Sequence, residues 1–139
     1  MNAKEESEKL MNALLPFTKQ MLQRYGEFYP HGGYIDADGK ITLVGAQDPD
    51  TDHPKSKDLI YILRDSLRQA CTRGCRAAAI VFDVTLGQAN SSRKGDAIQI
   101  CIEHVDGYSV EVFFPYEIVD GQVVYGKTFA QAGKHEIFT

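Results

Sequence analysis

Residues 96–116 read DAIQICIEHVDGYSVEVFFPY, two runs of alternating side chains on either side of Asp106-Gly107. The register of this hairpin decides the fold. Asp-Gly usually marks a two-residue type I′ turn, which would pair Val105 with Tyr108, Ile102 with Glu111 and Gln99 with Phe114. Directly opposed residues share a face, so that register mixes apolar and charged side chains on both faces. A three-residue loop, Val105-Asp106-Gly107, instead pairs His104 with Tyr108, Ile102 with Val110, Ile100 with Val112 and Ile98 with Phe114. One face is then apolar. The predicted turn is type I with Gly107 left-handed in a G1 bulge.

The same test on GEFYPHGGYIDADGKI, residues 26–41, predicts another three-residue loop, Ala37-Asp38-Gly39, with Ile35 opposite Ile41 and Gly33 opposite Leu43. At Asp120-Gly121 the two-residue form is cleaner and pairs Ile118 with Val123 and Tyr116 with Tyr125. Outside these hairpins the apolar period changes. Leu10, Met11, Leu14, Thr18, Met21, Leu22 and Tyr25 recur at helical spacing and predict a helix over 4–25, kinked or restarted at Pro16 and stopped at Gly26. Leu59, Ile60, Leu63, Leu67, Ala70 and Cys71 predict a second helix over 55–73, with Pro54 at its start and Gly74 as its cap. Strands are expected at 76–86, 96–104, 108–118 and, more weakly, 122–126, with a polar loop GQANSSRKG between the first two.

The order is α-β-β-α-β-β-β. Clean alternation implies an antiparallel sheet of five or six strands with one covered face, so an α+β two-layer sandwich with both helices on that face is expected. The 139 residues suit one domain, 1–139. The element order resembles roadblock and longin-like domains. The stretches GEFYPHGGYIDADGKI and DAIQICIEHVDGYSVEVFFPY together also resemble a family of small uncharacterised bacterial proteins, with a GEF-x-P hairpin and an E-H-x-D-G strand pair. That resemblance spans about residues 10–118. It implies a bacterial cytosolic protein of this architecture and assigns no residue a role.

Composition removes several functions. With 43% hydrophobic and 24% charged residues, the chain is of ordinary globular type. Net charge is −4 and the fifteen Lys and Arg are scattered, which argues against nucleic-acid binding. No apolar run is long enough for a membrane span and no secretory signal opens the chain. Three cysteines, Cys71, Cys75 and Cys101, are an odd count that suggests free thiols in a reducing cytoplasm. Cys71 and Cys75 lack a second ligand pair for zinc. Asp48, Asp50 and Asp52 alternate as in a calcium loop, but His53 and Leu59 occupy the positions that need Gly and Glu. No metal or cofactor is expected. Neither a nucleophile elbow, a Walker sequence nor a dinucleotide fingerprint is present.

The remaining candidates are Tyr29, His31, Tyr34, Glu103, Glu111 and Phe113. The register sends Gln99, Glu103, Ser109 and Glu111 to the polar face, with Asp83 expected beside them. Glu103 and Glu111 would be diagonal neighbours, roughly 7–8 Å apart. On an open sheet they form a wet polar surface rather than an acid–base pair in a cleft. Phe113 points the same way and, with Tyr29 or Tyr34, would make an exposed aromatic patch of the kind found at interfaces. His104 is expected on the apolar side near Tyr108. The composite expectation is a non-enzymatic interaction module, self-associating as a homodimer or binding another protein. Its alternative is a small enzyme or ligand-binding protein using His31 with Asp or Glu partners. An inhibitor or immunity-type protein also fits the acidic charge.

Overall fold

The computed structural model describes residues 2–47, 51, 54–87 and 94–138. The Asp48–Asp52 carboxylates and most of the GQANSSRKG loop lie outside them. Helix α1 (Ala3–Tyr25) is followed by β1 (His31–Asp36), β2 (Ile41–Val44), α2 (Ser56–Cys71), β3 (Cys75–Gly87), β4 (Lys94–His104), β5 (Ser109–Val119), β6 (Gln122–Tyr125) and β7 (Phe129–Ala132). All pairings are antiparallel, in the order β2-β1-β3-β4-β5-β6, with β7 also on β5. The protein is of the α+β class, its two helices packed on an antiparallel sheet.

All three hairpin registers follow the turn chemistry. Ile98 pairs with Phe114, Ile100 with Val112 and Ile102 with Val110. Ile35 pairs with Ile41 and Gly33 with Leu43, and Ile118 pairs with Val123. Gly39 (φ 86°) and Gly107 (φ 95°) take the left-handed bulge position, and at the third turn both Asp120 (φ 50°) and Gly121 (φ 78°) are left-handed. Asp36 Oδ1 braces the first turn by accepting the N–H groups of Asp38 and Lys40, both at 2.9 Å. In the second turn His104 Nδ1 takes that role, accepting from Asp106 N–H at 3.1 Å.

Helix α1 is continuous through Pro16. Pro16 and Asn12 are both exposed, so the carbonyl that loses its partner faces water. The Asn2 side chain caps its start, and Gly26 (φ 73°) returns an N–H to Leu22 O at its end.

The layer arrangement differs from the expectation of two helices on one face. Leu10, Leu14 and Leu22 of α1 pack with Ala77, Ala79, Val81, Ile98, Ile100 and Ile102. Leu63 and Leu67 of α2 pack with Ala78 and Ile80, the alternate residues of β3, and therefore on the opposite face. The helices flank the sheet. Two physical causes combine. Residues 77–81 of β3 are all buried, the unbroken apolar run of a strand covered on both sides. In addition β2 and β3 are each antiparallel to β1, hence parallel to one another, and α2 joins them. A parallel crossover has a preferred hand that ties its helix to one face, and α1 fills the other.

The C-terminal region is more ordered than a tail. Strands β6 and β7 form one edge interrupted at residues 126–128, opposite Pro115, which has no N–H for a ladder. Gly126 N–H bonds Pro115 O at 2.8 Å across the break. Cysteine chemistry also departs from the expected free thiols. Cys71 and Cys75 form a disulfide across the turn after α2, their Cα atoms 4.8 Å apart, a separation within disulfide range. The last turn of α2 and left-handed Gly74 (φ 95°) bring them together. Cys101 is free.

Candidate functional site

His31 opens β1 and is buried beneath α1. Its Nδ1 lies 3.0 Å from Tyr29 O, which can only accept, so Nδ1 carries a proton and donates. Nε2 lies 2.8 Å from Thr18 Oγ1, whose single proton is shared between that nitrogen and Leu14 O at 3.1 Å. Phe17 and Phe28 present edges to the ring at 5.2 and 6.0 Å. No carboxylate hydrogen-bonds His31 among the described residues, so the expected His31–Asp/Glu constellation is not assembled. Burial lowers the His31 pKa, against the bond to Tyr29 O, which works to raise it. Because the unfolded chain binds this proton more readily, stability is expected to fall as pH drops below about 6.5. Urea unfolding at about pH 7.5 and pH 5.5 checks this, and His31→Gln is expected to flatten the difference. An unchanged pH dependence in His31→Gln would assign it to other groups.

The other candidates are divided between different environments. Tyr29 is exposed, whereas Tyr34 packs against the α2-side core. Phe113 does not form an open aromatic patch, because it is 6% exposed and stacks on Phe129 of β7 at 4.8 Å. Asp83 pairs with Ile98 and so lies on the α1 face, not beside Glu103. There it accepts the Tyr116 O–H at 2.7 Å. Burial raises its pKa, the Tyr116 bond opposes this, and Asp96 adds to the rise.

Glu103 and Glu111 do share the α2 face and are diagonal neighbours across β4 and β5. That face is not open. Residues 134–138 cross it, and the buried carboxylate of Glu103 accepts N–H groups from Glu136 (2.9 Å), Ile137 (3.0 Å) and Phe138 (3.3 Å). Ile137 inserts into the core formed by Leu63, Leu67, Ala78 and Ile80. Ser109 Oγ donates to Lys134 O at 2.6 Å, Arg68 Nε donates to Glu136 O, and Arg64 pairs with the Glu136 carboxylate at 2.6 Å. Glu111 accepts from Gln131 at 2.8 Å. A cleft of about 140 Å³ remains beside these groups, with Gln99 and Cys101 in its wall. Burial pushes the Cys101 thiol up to about 11, while the amide of Gln99, 3.3 Å away, partly opposes the rise. It remains a protonated thiol rather than a nucleophile. The carboxylates of Glu103, Glu111 and Glu136 and the guanidinium groups of Arg64 and Arg68 are each held by a protein partner.

A hydrogen-bonded network joins the first turn of α1 to β3 and β4. With Nδ1 of His104 accepting from Asp106, its Nε2 carries the proton and donates to Glu6 Oε1 at 3.1 Å. Arg76 reaches Glu6 Oε2 at 3.2 Å. Burial works to raise the Glu6 pKa, but the His104 and Arg76 contacts outweigh it and hold the carboxyl below its usual range. Sequence reading placed His104 on the apolar side, and the structure supplies its partner 98 residues away.

The free edge of β2 is the other feature of note. Asp36 N–H donates to Lys40 O at 2.9 Å, and antiparallel alternation then turns the main-chain groups of Thr42 and Val44 toward β1 and those of Ile41 and Leu43 outward. Among the described residues β2 pairs with β1 alone. Leu43 is 57% exposed, beside Gly33 and Leu14, and the half-exposed Phe17 ring meets His31 edge to face on the same side of the sheet.

The chain matches no protein-family model, no curated protein and no solved structure. Among the described residues no group of three or more His, Cys, Asp or Glu is placed to hold a metal ion, and no helix is long and apolar enough to cross a membrane.

Proposed function

We propose that this protein is a non-enzymatic interaction module that self-associates as a homodimer through the outer edge of β2. The observation that carries this reading is the β2 edge itself, on which no further strand pairs among the described residues. Edge strands usually avoid pairing by carrying charges, prolines or bulges. Ile41-Thr42-Leu43-Val44 carries none of these and presents an exposed leucine. The opposite edge of the sheet, by contrast, is two four-residue strands broken at residues 126–128. The β2 edge is also self-complementary. A two-fold axis at Leu43 sets the outward groups of Leu43 against those of its copy, and Ile41 against Gly45, continuing the sheet through the dimer.

Sedimentation equilibrium is expected to show a dimer at high micromolar concentration. Leu43→Lys adds a charge to the edge at a residue outside both buried clusters, and is expected to weaken the dimer by roughly tenfold or more, about 1.4 kcal/mol, with an unchanged far-UV circular dichroism spectrum. A wild-type chain that stays monomeric at the highest attainable concentration would overturn the proposal, as would a dimer indifferent to Leu43→Lys.

A further inference from the structure

The groove between α2 and β4–β5 handles residues 134–138 as a peptide-binding domain handles a ligand. Extended peptides are recognised through main-chain hydrogen bonds for affinity and side-chain pockets for specificity. Both are present. Glu103 takes three consecutive backbone N–H groups, while Ser109 and Arg68 take the carbonyls of Lys134 and Glu136. Arg64 reads the Glu136 carboxylate, and the α2-side core takes Ile137, with Phe138 packed against it. Every one of these partners belongs to α2, β3, β4 or β5, none to the segment's own neighbours in sequence.

The segment is also positioned to leave. It follows β7, an edge strand whose four residues are all exposed, and short edge elements open locally at lower free energy than central strands. Its departure would expose a ready-made recognition surface with a carboxylate, a guanidinium and an apolar slot. We infer that this groove is a peptide-reading site held in cis by the chain's own C-terminal segment, and that its occupant in trans is an extended peptide of a partner protein with acidic, aliphatic and aromatic residues in that order. This surface lies on the α2 face, independent of the β2 edge.

The test uses a fluorescent peptide, Lys-His-Glu-Ile-Phe, titrated into the full chain and into full-chain Ile137→Ser, which loosens the segment. Anisotropy is expected to show binding roughly tenfold or more tighter to Ile137→Ser than to wild type. A peptide with Lys in place of its Glu is expected to lose that binding, as is the double variant Ile137→Ser, Glu103→Ala. A folded Ile137→Ser that ignores the peptide overturns the inference, as does binding independent of Glu103. A dimer that persists in Leu43→Lys but disappears in Ile137→Ser also overturns it, since that would show segment exchange between copies. Should Ile137→Ser fail to fold, hydrogen exchange on the wild-type chain decides. The amides of residues 136–138 are expected to exchange about a hundredfold faster than those of Ile100 and Ile102, and equal protection overturns the inference.

Discussion

Gly32→Ala is expected to lower the melting temperature by about 10 °C, the effect of roughly 3 kcal/mol in a domain of this size. Gly32 is buried in β1, between β2 and β3. A Cβ added there would lie 2.4 Å from Ala79 O, with Ala79 C at 3.5 Å. The obstacle is the main chain of β3, which has no rotamer to change, so the two strands must separate or shift. Either response disturbs the stretch of β3 that both helices pack against. Gly33 is under similar pressure, with Thr42 O at 2.8 Å and Leu14 Cδ2 at 3.3 Å from its added Cβ. Gly45 provides the control. Among the described residues nothing lies within 4 Å of an added Cβ there, and Gly45→Ala is expected to leave the transition nearly unchanged. Thermal unfolding followed by circular dichroism separates the cases. A Gly32→Ala transition within about 2 °C of wild type would show that β1 and β3 can part at little energetic penalty.

Glu103→Ala is expected to destabilise by about 2–3 kcal/mol and to release the C-terminal segment. Hydrogen bonds to charged groups contribute about 1.5–3 kcal/mol each, and a buried amide left without a partner costs about 1–3 kcal/mol. Three amides lose their acceptor together, but the segment can lift into water, so the loss is limited by the docking energy of residues 134–138. Ile137 leaves its core at the same time. Glu103→Gln keeps one acceptor oxygen and is expected to lose about half as much. Urea unfolding measures the stability, and hydrogen exchange at residues 136–138 reports the release. Protected amides in Glu103→Ala would mean that Ile137 and the Arg64–Glu136 pair hold the segment without the carboxylate.

These two residues also show what was legible in the sequence. Gly32-Gly33 reads as strand from the alternation around Ile35, but its reason, the approach of Ala79 O and Thr42 O, comes from neighbours that only the folded chain supplies. Glu103 was legible as facing away from Ile98, Ile100 and Ile102, because a three-residue turn at Asp106-Gly107 permits no other clean register. That this face would be covered was not legible. Residues 134–138 are too short a stretch to show a period, and Ile137-Phe138 after three polar residues carries no strand or helix signature. His31 with Thr18 is an intermediate case. Thr18 lay on the predicted core stripe of α1, and His31 alternates with Ile35 along β1, yet their contact depends on how the helix is seated along the sheet.

The sequence by itself determined the registers of the three Asp-Gly hairpins and the two faces of β4 and β5, since turn residues and a period of two are local properties of the chain. Tertiary structure alone decided what covers each face. Alternation says that a side is apolar without saying which helix reaches it, and the loop before α2 does not choose a face on its own. The strand pairing does, by placing β2 and β3 on either side of β1 so that α2 crosses the face that α1 leaves open. The continuous burial of residues 77–81 was the one mark of that second layer already written in the sequence, as a run in β3 with no polar side to show to water.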